Sequence, residues 1–119
     1  MNTQTVILDT AKNRRLSAAR GALTAEFPPP FWTWEPVWAT KFRQVDILPS
    51  KFEKVVVDQH LDGARYDKQG NVVERVAVFW TDYDSDHHRY CAKRHDGGWH
   101  YNDDAVDAVR MAIECEENR

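Results

Sequence analysis

Apolar residues recur at i, i+3 and i+7 through Leu16, Ala19 and Leu23, so residues 9–26 predict a first helix. Asp9 or Thr10 can cap its N-terminus. Gly21 weakens it, and Phe27-Pro28 ends it, because the residue before a proline avoids the helical region. From Trp38 the period changes to two: Trp38, Thr40 and Phe42 alternate with small or polar residues, and the phase then slips to Val45 and Ile47. That pattern predicts a strand with a bulge or bend, closed by Pro49. Val55, Val57, Gln59 and Leu61 predict a second strand running on towards Tyr66. Residues 67–71, Asp-Lys-Gln-Gly-Asn, form a turn, since Gly and Asn tolerate positive φ. Val72 to Thr81, rich in β-branched and aromatic residues, returns as the other half of a hairpin.

A second hairpin is expected at Arg89–His95, with Asp96-Gly97-Gly98 as its turn and Trp99-His100-Tyr101 as its return. Asn102 or Asp103 then caps a last helix. Asp103, Asp104 and Asp107 suit the positive end of its dipole, and Val106, Val109, Ala112 and Ile113 form its core stripe. The expected fold is α+β, a twisted antiparallel sheet of about four strands with an N-terminal and a C-terminal helix packed on one face, in one globular domain over residues 1–119. A strand near Val55, if it lay at the sheet edge, could pair with its twin in a homodimer.

One segment resists this periodic reading. Phe27 to Trp38 holds three tryptophans, two phenylalanines and four of the five prolines. Three successive prolines fix φ and remove donors, so Pro28–Pro30 predicts an extended strut. Trp38 and Phe42 fit a core strand. Phe31, Trp32 and Trp34 are left without an element and are candidate anchors for a partner, because interface hot spots favour tryptophan.

The composition is that of a globular protein, with 42% apolar and 29% charged residues over 119 positions. No apolar run is long enough for a membrane span, and the first residues lack the pattern of a signal peptide. Two cysteines without CxxC spacing suggest neither a disulfide framework nor a zinc ribbon, so a reducing, cytoplasmic setting is expected. Charge is uneven. Residues 1–45 carry six Lys/Arg against three Asp/Glu, and residues 46–119 carry ten against sixteen. An acidic body argues against a general nucleic-acid binder. The basic side of the first helix, Lys12, Arg14, Arg15 and Arg20, reads as a solvated face or, more sharply, as a phosphate contact.

Residues 82–88, Asp-Tyr-Asp-Ser-Asp-His-His, invite a metal reading that spacing does not support. The calcium-loop pattern needs Gly at its sixth place and Glu at its twelfth, where this chain has His87 and Lys93. Cys91 and His95 are roughly 13 Å apart on an extended strand, too far to share a zinc or act as a nucleophile–base pair. Asp86-His87-His88 matches the tripeptide that names a phosphoesterase family, but that family's other aspartate motifs are absent. Cys115, on the last helix beside the core stripe, reads as an ordinary buried thiol. No catalytic residue, metal or cofactor is expected.

Two binding readings remain. The first is a small non-catalytic protein-binding module anchored by Phe31, Trp32 and Trp34 and steered by Asp82, Asp84 and Asp86. It would act as an inhibitor or adaptor of the kind encoded by phages and mobile elements, occupying a basic surface of a nucleic-acid-handling complex. The second is a single-stranded nucleic-acid-binding domain that stacks bases on sheet aromatics. It would use Arg89, Tyr90, Lys93, Arg94, Trp99 and Tyr101.

Overall fold

The computed structural model describes residues 5–46, 51–82 and 88–117. In chain order the elements are β1 (Thr5–Ile7), α1 (Ala11–Glu26), β2 (Trp32–Asp46), β3 (Lys51–Tyr66), β4 (Val72–Asp82), β5 (His88–Arg94), β6 (Trp99–Asn102) and α2 (Ala105–Glu117). The class is α+β, with two helices and one mixed six-stranded sheet among the described residues. The expected sheet of about four antiparallel strands is therefore corrected in two ways. A short β1 pairs parallel to β3, and β2 begins at Trp32, six residues before Trp38.

Local chemistry accounts for the ends of the elements. Thr10, in extended conformation, caps α1 by accepting a hydrogen bond from the Asn13 N–H at 3.1 Å. The helix stops at Phe27 ahead of the prolines. Pro28–Pro30 is a turn and not the expected extended strut: the Trp32 N–H donates to the Pro28 carbonyl at 3.3 Å, and the Pro29–Pro30 peptide is cis. At the β3–β4 turn, the Asp67 carboxylate accepts from the N–H groups of Gln69 and Asn71, both at 2.9 Å, and Gly70 takes φ 85°. Asp104 caps α2, accepting from the Asp107 N–H at 3.0 Å.

β3 is the centre of the sheet. β2 covers one edge along nearly its whole length; the other edge is shared by β1 at Lys54–Val56 and β4 at Leu61–Tyr66. Val55 is thus fully buried between Val6 and Lys41, and a twin cannot pair there. Among the described strands β2 is an edge strand, as are β1 and β6. The first half of β2 is blocked by Arg20, whose Nε donates to the Trp34 carbonyl at 2.7 Å, and by Pro36, which has no donor to offer.

Strand alternation builds the core on one face. The cross-strand rows Trp34–Gly63–Val76 and Pro36–Leu61–Val78–Ala92 lie under the helices, as do Trp80 and Tyr90. Leu16, Ala19 and Leu23 of α1 and Ala105, Ala108, Val109 and Ala112 of α2 complete the buried cluster. The alanines let α2 lie close to the sheet, and an Arg110–Glu26 ion pair ties the helices together. No described helix is long and apolar enough to cross a membrane.

Candidate functional site

Trp32 and Trp34 are core residues and not surface anchors, with 7% and 3% of their surface exposed. The cause is the early start of β2: period two turns both rings toward α1. They stack at 5.2 Å with planes 5° apart, Phe27 tilts against both, and the Trp34 indole N–H donates to the Phe27 carbonyl at 3.2 Å. Of the three expected anchors only Phe31 is exposed. Asp84 and Asp86 lie outside the described residues, as does the side chain of Asp82.

The basic side of α1 is largely engaged within the chain. Lys12 pairs with Asp58 at 3.0 Å, Arg14 with Asp9 at 2.7 Å, and the Arg15 guanidinium lies 4.2 Å from the centre of the Trp80 ring. With Arg20 spent on Trp34, this helix offers little to a phosphate.

Exposed apolar surface is concentrated elsewhere, on the arm that β2 and β3 form beyond the reach of β4. At the Ala39/Thr40 register shift the extra residue, Val57, is on β3, so β2 keeps its alternation. Trp38, Thr40 and Phe42 therefore continue the face that carries Trp32 and Trp34. The cover ends where the Gln59 amide donates to the Asn13 carbonyl at 3.2 Å, opposite Trp38. Past that point no helix among the described residues covers the face. Trp38 is 43% exposed, Phe42 68% and Phe52 52%, with Ile7 of β1 on the same face, opposite Val56, and Lys54 between Thr5 and Phe42. Sequence reasoning placed Trp38 and Phe42 in the core because their alternation was clear; alternation does not reveal where the covering helix ends.

Among the described residues, both helices pack on that one face, and the opposite face of the sheet has no helix. It carries a row of rings: His60 stacks on Phe79 at 4.6 Å, and Phe79 meets Trp99 at 5.5 Å with a 60° tilt. Lys93 sits 6.0 Å from the Trp99 ring centre, and Arg75 pairs with Asp62 at 3.3 Å. The six residues expected for nucleic-acid binding divide here. Arg89, Lys93, Trp99 and Tyr101 share this open face, as the register Cys91–Tyr101 and Lys93–Trp99 requires. Tyr90 and Arg94 are on the helix side. The Tyr90 hydroxyl donates to the Arg15 carbonyl at 2.9 Å, and Arg94 pairs with Glu74. His60 and Phe79 are the additions that sequence reasoning missed, since only the β3–β4–β5–β6 register brings them beside Trp99.

Cys91 lies between Phe79 and Tyr101 in that register and is buried. Burial pushes its thiol up to about 11 from an ordinary value of 9.0, so it is no nucleophile. The folded chain holds a proton that the unfolded chain releases. Its contribution to stability is therefore constant below the ordinary thiol range and is lost as pH rises through it toward 11. Cys115, expected to be buried beside the core stripe, is instead exposed, so we expect maleimide at about pH 8 to modify it and leave Cys91 intact until denaturant is added. Equal native rates at the two thiols would show that the ring layer does not close over Cys91. Among the described residues, no three His, Cys, Asp or Glu side chains gather as a metal site would require.

Comparison with protein-family models, with curated proteins and with solved structures gives no match to this chain.

Proposed function

We propose that the chain is a small non-catalytic protein-binding module whose contact surface is the uncovered face of the β2–β3 arm, anchored by Trp38, Phe42 and Phe52. The observation that carries this reading is the interruption of the helical layer at Asn13 and Gln59, with large apolar side chains continuing beyond it. An amphipathic helix from a partner would complete the layer, as α1 and α2 do over the rest of that face. Lys54, set among the apolar side chains, favours a partner with carboxylates beside its apolar stripe. The exposed acids of α2 have a nearer role: Asp104 caps the helix and Asp107 lies in its first turn.

A photo-crosslinking amino acid at position 42 tests the reading in cells that make the protein. A discrete crosslinked protein is expected from position 42 and none from the exposed turn position 68. The double variant Trp38→Ser/Phe42→Ser should remain folded with a loss of no more than about 1–3 kcal/mol, since Phe42 is largely exposed and Trp38 is half-buried. It should also abolish capture by a crosslinker moved to position 52. Crosslinking from position 42 only to a second copy of the chain would replace the partner with a homodimer, and no crosslink at all would sink the reading.

A further inference from the structure

We propose a second binding site, on the opposite face of the sheet, that takes an unpaired nucleobase of a single-stranded nucleic acid against Trp99. The ring row is built so that one ring is free. His60 and Phe79 stack on each other, and Phe79 then braces Trp99, whose surface is still 49% exposed. The braced indole borders a hollow of about 250 Å³ with Phe79 and His95 beside it, Ala77 on its lining, and Asp62, Arg75, Lys93 and Arg94 as charged groups. This is smaller than the roughly 300–1,000 Å³ of a typical drug-sized pocket. It suits one planar heterocycle.

The charges fit a nucleotide better than an apolar protein segment. A base stacked on Trp99 places its exocyclic groups near Asp62, which accepts, and Arg75, which donates; the two are already paired at 3.3 Å and about half exposed. Lys93, on the strand next to Trp99, is positioned for the adjoining phosphate. Three cations against one carboxylate line this hollow, and with Arg94 already paired to Glu74 the local balance is still positive, on a chain whose net charge is −3. A duplex keeps its bases inside the stack and cannot present one to the indole, so the site selects single strands. Centroid spacings of 4.6 and 5.5 Å leave no room between the existing rings, so the base goes on the outer face of Trp99.

The test is tryptophan fluorescence on titration with short single-stranded DNA and RNA of mixed sequence, about 12 nucleotides long. Quenching is expected. Trp99→Ala should weaken binding by about 5- to 150-fold, the equivalent of one stacked base. Trp99→Phe should keep most of the affinity, and Trp38→Ala, on the other face, should keep all of it. With one or two phosphates engaged, the slope of log K against log salt should be about −0.7 to −1.4, and Lys93→Ala should make it shallower by about 0.7. The proposal fails if low salt gives no quenching, if Trp99→Ala binds like the parent, or if the matching duplex binds as tightly. A nucleoside monophosphate that binds as well as the oligonucleotide would also overturn it in favour of a small-molecule site. Because Trp99 is half exposed, its replacement leaves the buried cluster intact, and circular dichroism of each variant checks this.

Discussion

Gly63→Ala is expected to destabilise the fold by about 1–3 kcal/mol, read as a lower midpoint in urea unfolding, although it adds a single methyl group. A Cβ at Gly63 would lie 2.2 Å from Cζ3, 2.6 Å from Cε3 and 2.8 Å from Cη2 of Trp34. The indole cannot step aside. Trp32 is stacked on it, Phe27 leans against it, and its N–H is bonded to the Phe27 carbonyl. Trp34→Ala should cost more, about 3–5 kcal/mol, because a nearly fully buried indole leaves a cavity among side chains that are themselves held. The two changes should not add. Once the indole is gone the new methyl group has space, so the double variant should be more stable than the sum of the single losses by upwards of about 1 kcal/mol. Additive losses would mean that the glycine is needed for its backbone and not for the ring.

The same pair of residues explains what the amino-acid pattern revealed and what it hid. Leu16, Ala19 and Leu23, the Asp67–Asn71 turn and the two hairpins rest on contacts close in sequence, so periodicity and turn chemistry were enough to find them. The even-numbered run Trp32, Trp34, Pro36, Trp38 also has period two. Pro36 obscured it, because a proline inside such a run argues against a central strand. β2 is an edge strand, where proline is tolerated, and which strand lies at the edge is decided by pairing with β3 some thirty residues away. β1 was hidden for a different reason: three residues carry no measurable period, and its parallel partner is distant.

The candidate surfaces show the same limit. Alternation alone separates Arg89 and Lys93 from Tyr90 and Arg94, so two of the six nucleic-acid candidates could have been discarded from the sequence. His60 and Phe79 could not have been added, since their approach depends on the registers of three strand pairs. Exposure is harder still. Trp34 and Trp38 are four residues apart on one strand face; one is buried beneath α1 and the other is not. The difference is where α1 begins, and that is set by Thr10 on a separate element.

Arg94→Leu is expected to cost about 3–5 kcal/mol, although arginine-to-leucine changes at exposed sites are nearly neutral. Glu74 is the reason. Its side chain is only 1% exposed, and Arg65 Nε donates to Oε2 at 3.0 Å. Arg94 Nε lies 2.9 Å from Oε1 as an ion pair that lacks hydrogen-bond geometry, so the Arg94 charge is what compensates that buried oxygen. Removing Arg94, itself 21% exposed, leaves one carboxylate oxygen buried without a cation. Removing the carboxylate is a different experiment. In Glu74→Leu the guanidinium of Arg65, 43% exposed, can turn out into water, and Arg94 lies on the same rim of the sheet. That variant should lose less, about 1–2 kcal/mol, because a buried charge is exchanged for a buried apolar group. The order of the two losses is the informative quantity. If Glu74→Leu proved the more damaging, the cluster would be acting as an attractive staple between strands, and the desolvation argument would be wrong. With Arg94→Leu worse, introducing Glu74→Leu into it should restore stability, a second substitution repairing the first.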